Sequence, residues 1–249
     1  MKQAVTMATL VLLVNFKTVP ASAQPDVSKF EIGLSAGVFV YQGDLTPYRL
    51  GSYNTLRPVI ALSINRIINN KFSLRTNLAF GGLRGDDGKY PTPAYRQQRN
   101  FNFRSPVFEI SELFMATILG TNGTGQHMGV SAYVFGGPGI TLLNIRRDWS
   151  RFNPEYFSSE SITIAGLVSD QQHALPRLIP VVPLGIGARF PVSSRLSLAV
   201  ETSYRFTFTD YLDGFSKGAN DLRKDSYQSH TIGLIYHFKK NIALKCPVF

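Results

Sequence analysis

The strongest constraint in this sequence is a repeated two-residue alternation of apolar and polar side chains, in a chain with no long apolar run after its first twenty residues. A helical membrane span needs about 18 or more consecutive apolar residues. Here the apolar residues, 44% of 249, are dispersed, and charged residues make up only 17%. Soluble domains typically hold about 25% charged residues. Alternation with period two places successive side chains on opposite faces of a strand. The 18 Phe and 11 Tyr suit strands as well.

Eight strands are predicted, near 30–42, 55–65, 71–83, 101–118, 130–144, 177–190, 195–209 and 227–238. The seventh shows the pattern most clearly. Leu196, Leu198, Val200, Tyr204, Phe206 and Phe208 share one face, and Arg195, Ser197, Glu201, Ser203, Arg205, Thr207 and Thr209 share the other. The connections alternate in length. Those at 43–54, 84–100, 145–176 and 210–226 are long, while those at 66–70, 119–129 and 191–194 are shorter. Transmembrane barrels have this rhythm, with short periplasmic turns and long extracellular loops. The expectation is therefore all-β: a closed antiparallel transmembrane barrel over 24–238, with its apolar face on lipid. Closure is required because every backbone polar group in lipid must be paired.

Residues 1–23 read as a secretory signal: Lys2, an apolar run from Ala4 to Val14, and Ala21-Ser22-Ala23 as the cleavage site. The run is too short to span a bilayer. Residues 239–249 read as a short C-terminal tail, so the last strand ends at Phe238 or nearer Phe249. The single cysteine, Cys246, lies in that tail and has no internal partner. The net charge of +10 is scattered without basic blocks. With no accompanying motif it does not point to nucleic acid, and outer-membrane lipid headgroups are the more economical partner.

An eight-stranded barrel is just wide enough for side chains to fill. Its predicted lumen carries Glu31, Arg57, Arg75, Glu109, Arg189, Glu201 and Arg205. Charges held in so narrow a tube are expected to pair into a plug. A general porin needs many more strands. Glu112 breaks the pattern, because it shares a face with Phe108, Ile110 and Phe114. A bulge or an interfacial height is expected to relieve it. Neither a cofactor nor a metal is expected: His127, His173, His230 and His237 lack ligand spacing. Ser229 and His230 are adjacent strand residues that point to opposite faces. Gly85-Asp86-Asp87-Gly88 reads as a polar turn. No catalysis is expected.

Several runs stand out in order along the chain: Gly43-Asp44-Leu45, Arg57-Pro58, Gly85-Asp86-Asp87, and Arg99 to Phe103 leading to Phe108-Glu109-Ile110-Ser111. Tyr133 to Gly137 and Pro183 to Gly187 follow, and the most distinctive run is Glu201 to Asp213, containing TFTDYLD. Together they resemble a family of Bacteroidota outer-membrane barrels typified by PorG, a component of the type IX secretion machinery. The resemblance implies an outer-membrane component or anchor of a secretion complex, in contact with periplasmic ring proteins like PorK and PorN. It implies no catalytic residue and no cofactor. The alternative is a stand-alone small barrel for adhesion or outer-membrane stabilisation.

Overall fold

The computed structural model describes residues 27–122, 129–159, 161–219 and 224–238. The leader 1–23, the tail 239–249 with Cys246, and His127 lie outside them. Ten strands form one sheet: β1 (Phe30–Gln42), β2 (Arg57–Ile67), β3 (Phe72–Asp86), β4 (Asn102–Leu119), β5 (Ser131–Gly136), β6 (Gly139–Leu143), β7 (Arg146–Asp148), β8 (Leu178–Pro191), β9 (Leu196–Thr207) and β10 (Ser226–His237). β5, β6 and β7 follow one another along β4, so together they make a single stave. The result is a ring of eight antiparallel staves. β1 pairs with β10, and β3 with β4, so the sheet has no open edge. Two helices, α1 (Tyr95–Arg99) and α2 (Ser161–Gln172), lie in the loops.

The fifth stave is expected as one strand but is broken, because Pro138 has no N–H to offer the ladder. A Cβ on Gly137 would run into the carbonyl of Glu112, so the chain can pass this close only as glycine. The Glu112 N–H donates to Pro138 O at 3.0 Å across the break.

The two faces of the wall decide what surrounds it. Leu34, Phe80 and Ile186 on the outside are 59%, 60% and 58% exposed, whereas inward Glu31 and Glu109 are 1% and 0% exposed. A barrel in water would bury the first set and expose the second. This inversion is the signature of a transmembrane barrel of the outer-membrane type. Among the described residues no helix is long and apolar enough to cross a membrane.

Glu112 is relieved by neither expected device. The β3–β4 register runs without interruption from Phe72↔Ala116 to Asp86↔Asn102. Its partner Thr76 lies midway between Phe72 and Phe80 on β3, in the middle of the apolar band. The carboxylate instead accepts a bond from Thr76 Oγ1 at 2.7 Å on the outer wall.

Long connections (43–56, 87–101, 149–177, 208–225) gather at one end and short ones (68–71, 120–130, 192–195) at the other. An apolar core fills the long-loop half of the lumen. Phe39, Val59, Leu83, Val107, Ile179 and Tyr227 from the wall meet Leu45, Phe101, Leu167, Leu212 and Phe215 from the loops.

Candidate functional site

The inward charges occupy the lumen beside and below that core. Glu31 Oε1 accepts from Arg189 Nη1 at 3.0 Å and lies 2.9 Å from His237 Nδ1, while Oε2 accepts from Asn65 at 3.0 Å. Asn65 Oδ1 accepts from Arg75 Nε at 2.8 Å, and Arg75 Nη1 meets Glu201 at 2.7 Å. Tyr133 donates to the same Glu201 oxygen at 2.5 Å. One chain of contacts thus crosses the tube through β8, β1, β2, β3, β9 and β5. Higher up, Glu109 accepts from Arg205 Nε at 3.1 Å and from Tyr227 at 2.7 Å, and Arg205 also reaches the hydroxyls of Ser203 and Ser229. Desolvating such ions costs several kcal/mol each, so paired, hydrogen-bonded ions are the form that tolerates burial; in this network Arg189 Nε is left without a hydrogen-bond partner among the described residues. The arrangement fixes the relation of distant staves and blocks the lumen.

Six of the seven expected lumen charges come together: Glu31, Arg75, Glu109, Arg189, Glu201 and Arg205. Arg57 does not. At its height the inward positions are Phe39, Val59 and Leu83, all buried and apolar, so the lumen offers it no acid. Its stem lies 3.7 Å from where a Cβ on Gly82 would stand, and it lines a groove on the outer wall. The sequence reading missed Asn65, Tyr133 and Tyr227 as partners. Their inward parity was legible, but uncharged residues drew no attention as partners for ions.

The loops build a cap over the apolar core. Asp87, expected in a polar turn, is fully buried and holds two arginines of the next helix: Arg96 at 2.7 Å and Arg99 at 2.6 Å. Both arginines also donate to Asp44 O, at 2.9 and 3.0 Å. Its neighbour Asp86 does make the turn, accepting from Gly88 N at 3.1 Å and pairing with Arg84 at 2.9 Å.

The TFTDYLD run folds into a strap. Tyr211 donates to Asp170 of α2 at 3.2 Å, and Asp170 also accepts the N–H groups of Ser216, Lys217 and Gly218 at 2.8–3.1 Å. Leu212 and Phe215 enter the core. Tyr41 aims one hydroxyl at two carboxyls, 2.6 Å from Asp213 and 3.0 Å from Asp225. Burial pushes Asp213 up to about 7. Asp225 rises well above the usual carboxylate range through burial and repulsion from Asp213, Asp44 and Asp210. A Cβ on Gly43 would overlap both Asp225 and the Tyr41 ring, which explains the glycine of the Gly43-Asp44-Leu45 run.

The wall separates Ser229 from His230. Ser229 is buried beside Ser203 and Arg205. His230 faces outward between Thr202 at 2.8 Å and Tyr53 at 3.1 Å. His173 stacks on Tyr211 at 3.8 Å. Among the described residues no group of three His, Cys, Asp or Glu could hold a metal ion.

Solved structures resemble this fold. Neisserial surface protein A aligns at 12% identity over 84% of this chain and 97% of its own, with a TM-score of 0.46. A major outer membrane protein from Thermus thermophilus aligns at 14% over 84% and 99%, with a TM-score of 0.44. The outer membrane enzyme PagL aligns at 10% over 83% and 99%, with a TM-score of 0.39. No curated protein matches the sequence. Residues 5–240 match the family described as Domain of unknown function (DUF6089); that span is nearly the whole chain, and the protein belongs to this family.

Proposed function

We propose that the protein is a non-catalytic structural barrel, exported by its leader 1–23, that serves as an outer-membrane component or anchor of a type IX-like secretion complex. The observation that carries this reading is the filled lumen. Paired charges occupy one half and an apolar core the other, so the barrel offers a rigid body and not a conduit. The resemblance of the TFTDYLD and Gly43-Asp44-Leu45 runs supports the secretion assignment, and both runs lie in the cap. Ring proteins like PorK and PorN are the partners this reading implies, reached from the short-turn end.

The test is deletion of the gene with quantification of secreted cargo, paired with mild detergent extraction and mass spectrometry of co-eluting proteins. Loss of secreted cargo and co-elution of periplasmic ring proteins are expected. Normal secretion with altered surface binding would replace this reading with a stand-alone adhesion or stabilising barrel.

A further inference from the structure

Four arginines converge on the outer wall just beyond the apolar band at the long-loop end. Arg84 on β3 stands opposite Arg104 on β4, which stands opposite Arg146 on β7. Like charges directly opposite each other on a sheet repel. Arg57, excluded from the lumen, adds a fourth. Arg57, Arg104 and Arg146 line one groove of about 620 Å³ with Pro58, Ile60 and Phe80. Only Arg84 has an acid, Asp86 at 2.9 Å. The other nearby carboxylate, Asp148, is occupied by Asn102 at 3.4 Å and the Ser150 N–H at 2.9 Å. Within the described residues Arg57, Arg104 and Arg146 form no ion pair.

The height of this cluster identifies its counter-ion. Phe80 and Phe108 pack at 4.5 Å between ring centroids and mark the upper edge of the apolar band. Arg84 lies four residues beyond Phe80, about 10 Å along the barrel axis at the usual rise and tilt. The headgroup layer extends about 5–8 Å beyond the hydrocarbon, so the long arginine side chains at this height reach down into it. Guanidinium forks match phosphate oxygens in geometry and charge. Below them, Ile60, Phe80 and Pro58 offer an apolar wall for acyl chains.

We propose that this groove is a binding site for a phosphate-bearing lipid of the outer leaflet, with the phosphate held by Arg57, Arg104 and Arg146 and an acyl chain lying over Phe80 and Ile60. A bound phosphate would relieve the arginine row's repulsion and complete the wall. The proposal does not depend on the secretion reading.

The test uses full-length protein in detergent micelles, titrated with bisphosphorylated lipid A and followed by native mass spectrometry. Chemically dephosphorylated lipid A and inorganic phosphate form the comparison arms. Tight binding of the phosphorylated lipid alone is expected. The exposed pair R104Q/R146Q should bind roughly thirtyfold more weakly, from two arginine–lipid contacts of ordinary size. R66Q and R195Q, at the short-turn end, should bind as the parent does. Equal binding of the dephosphorylated lipid, or a folded R104Q/R146Q with parental affinity, would overturn the proposal. Displacement of the lipid by equimolar inorganic phosphate would overturn the lipid assignment in favour of a free-phosphate site. The lipid comparison on the parent protein decides the matter even where the double variant does not fold.

Discussion

Replacing Arg205 by leucine tests whether the lumen network is held by pairing. The guanidinium has Glu109 at 3.1 Å, the hydroxyls of Ser203 and Ser229, and the rings of Phe39 and Tyr227 at 5.3 and 5.6 Å. Leucine keeps most of the packing against those rings but leaves Glu109, fully buried, with Tyr227 as its remaining donor. Removing one member of a buried ion pair costs about 3–5 kcal/mol. Removing both is often close to neutral, because the desolvation cost disappears with the attraction. Here the neighbouring core of Phe39, Val107 and Val181 is already apolar, so Glu109→Leu with Arg205→Leu should stay within about 1 kcal/mol of the parent. The assay is urea unfolding of the refolded barrel in lipid vesicles. The single tryptophan, Trp149, packs on Phe215 under the cap and serves as the fluorescent reporter. At a slope of roughly 2.5 kcal/mol per molar, Arg205→Leu should lower the midpoint by about 1.5 M. A single variant that loses less than about 1 kcal/mol, or a double variant as unstable as the single, would refute the reasoning.

The cap yields three further expectations. Asp87→Ala strands Arg96 and Arg99, so protease cleavage within 87–101 should accelerate as local stability drops by about 3 kcal/mol. Unchanged cleavage would show that the arginines are held otherwise. Gly43→Ala places a methyl against Asp225 and Tyr41 and should cost about 1–3 kcal/mol by the same urea assay. The pH response follows from Asp213, whose carboxyl is raised from 3.8 to about 7 in the fold. A raised value means that the folded strap binds a proton its unfolded form releases. The cap is therefore firmest below about pH 4 and weakens as pH climbs through about 7. Amide protection factors across 208–219, corrected for the base-catalysed intrinsic rate, should be lower at pH 8 than at pH 5, and the reverse order would exclude this linkage.

The wall was legible in the sequence because its cause is local. β1 spans Phe30–Gln42 as expected, since alternation alone sets which side chains meet lipid. The eighth predicted strand differs by one residue at each end. Legibility failed where one residue's fate depends on distant ones. The fifth strand reads as continuous although Pro138, with no N–H for the ladder, was a local sign of its break; what the sequence hid is the close approach of Glu112 that requires Gly137. α2 was unforeseen because its fold value lies in single residues, Leu167 in the core and Asp170 under the strap, and not in a helical stripe. Arg57 follows the inward parity, yet Phe39 and Leu83 had already made its height apolar. Asp87 looked like turn chemistry, and only the folding of α1 against it brings Arg96 and Arg99 within reach.

The apolar cluster at the mouth draws on Leu45, Phe101, Leu167, Leu212 and Phe215, one or more from each long connection. The four long connections are therefore tied to one another through a single shared cluster, and the 208–219 segment closes it between Tyr41 and α2. Displacing any one of the four strips contacts from the other three, so the mouth holds or opens as a unit.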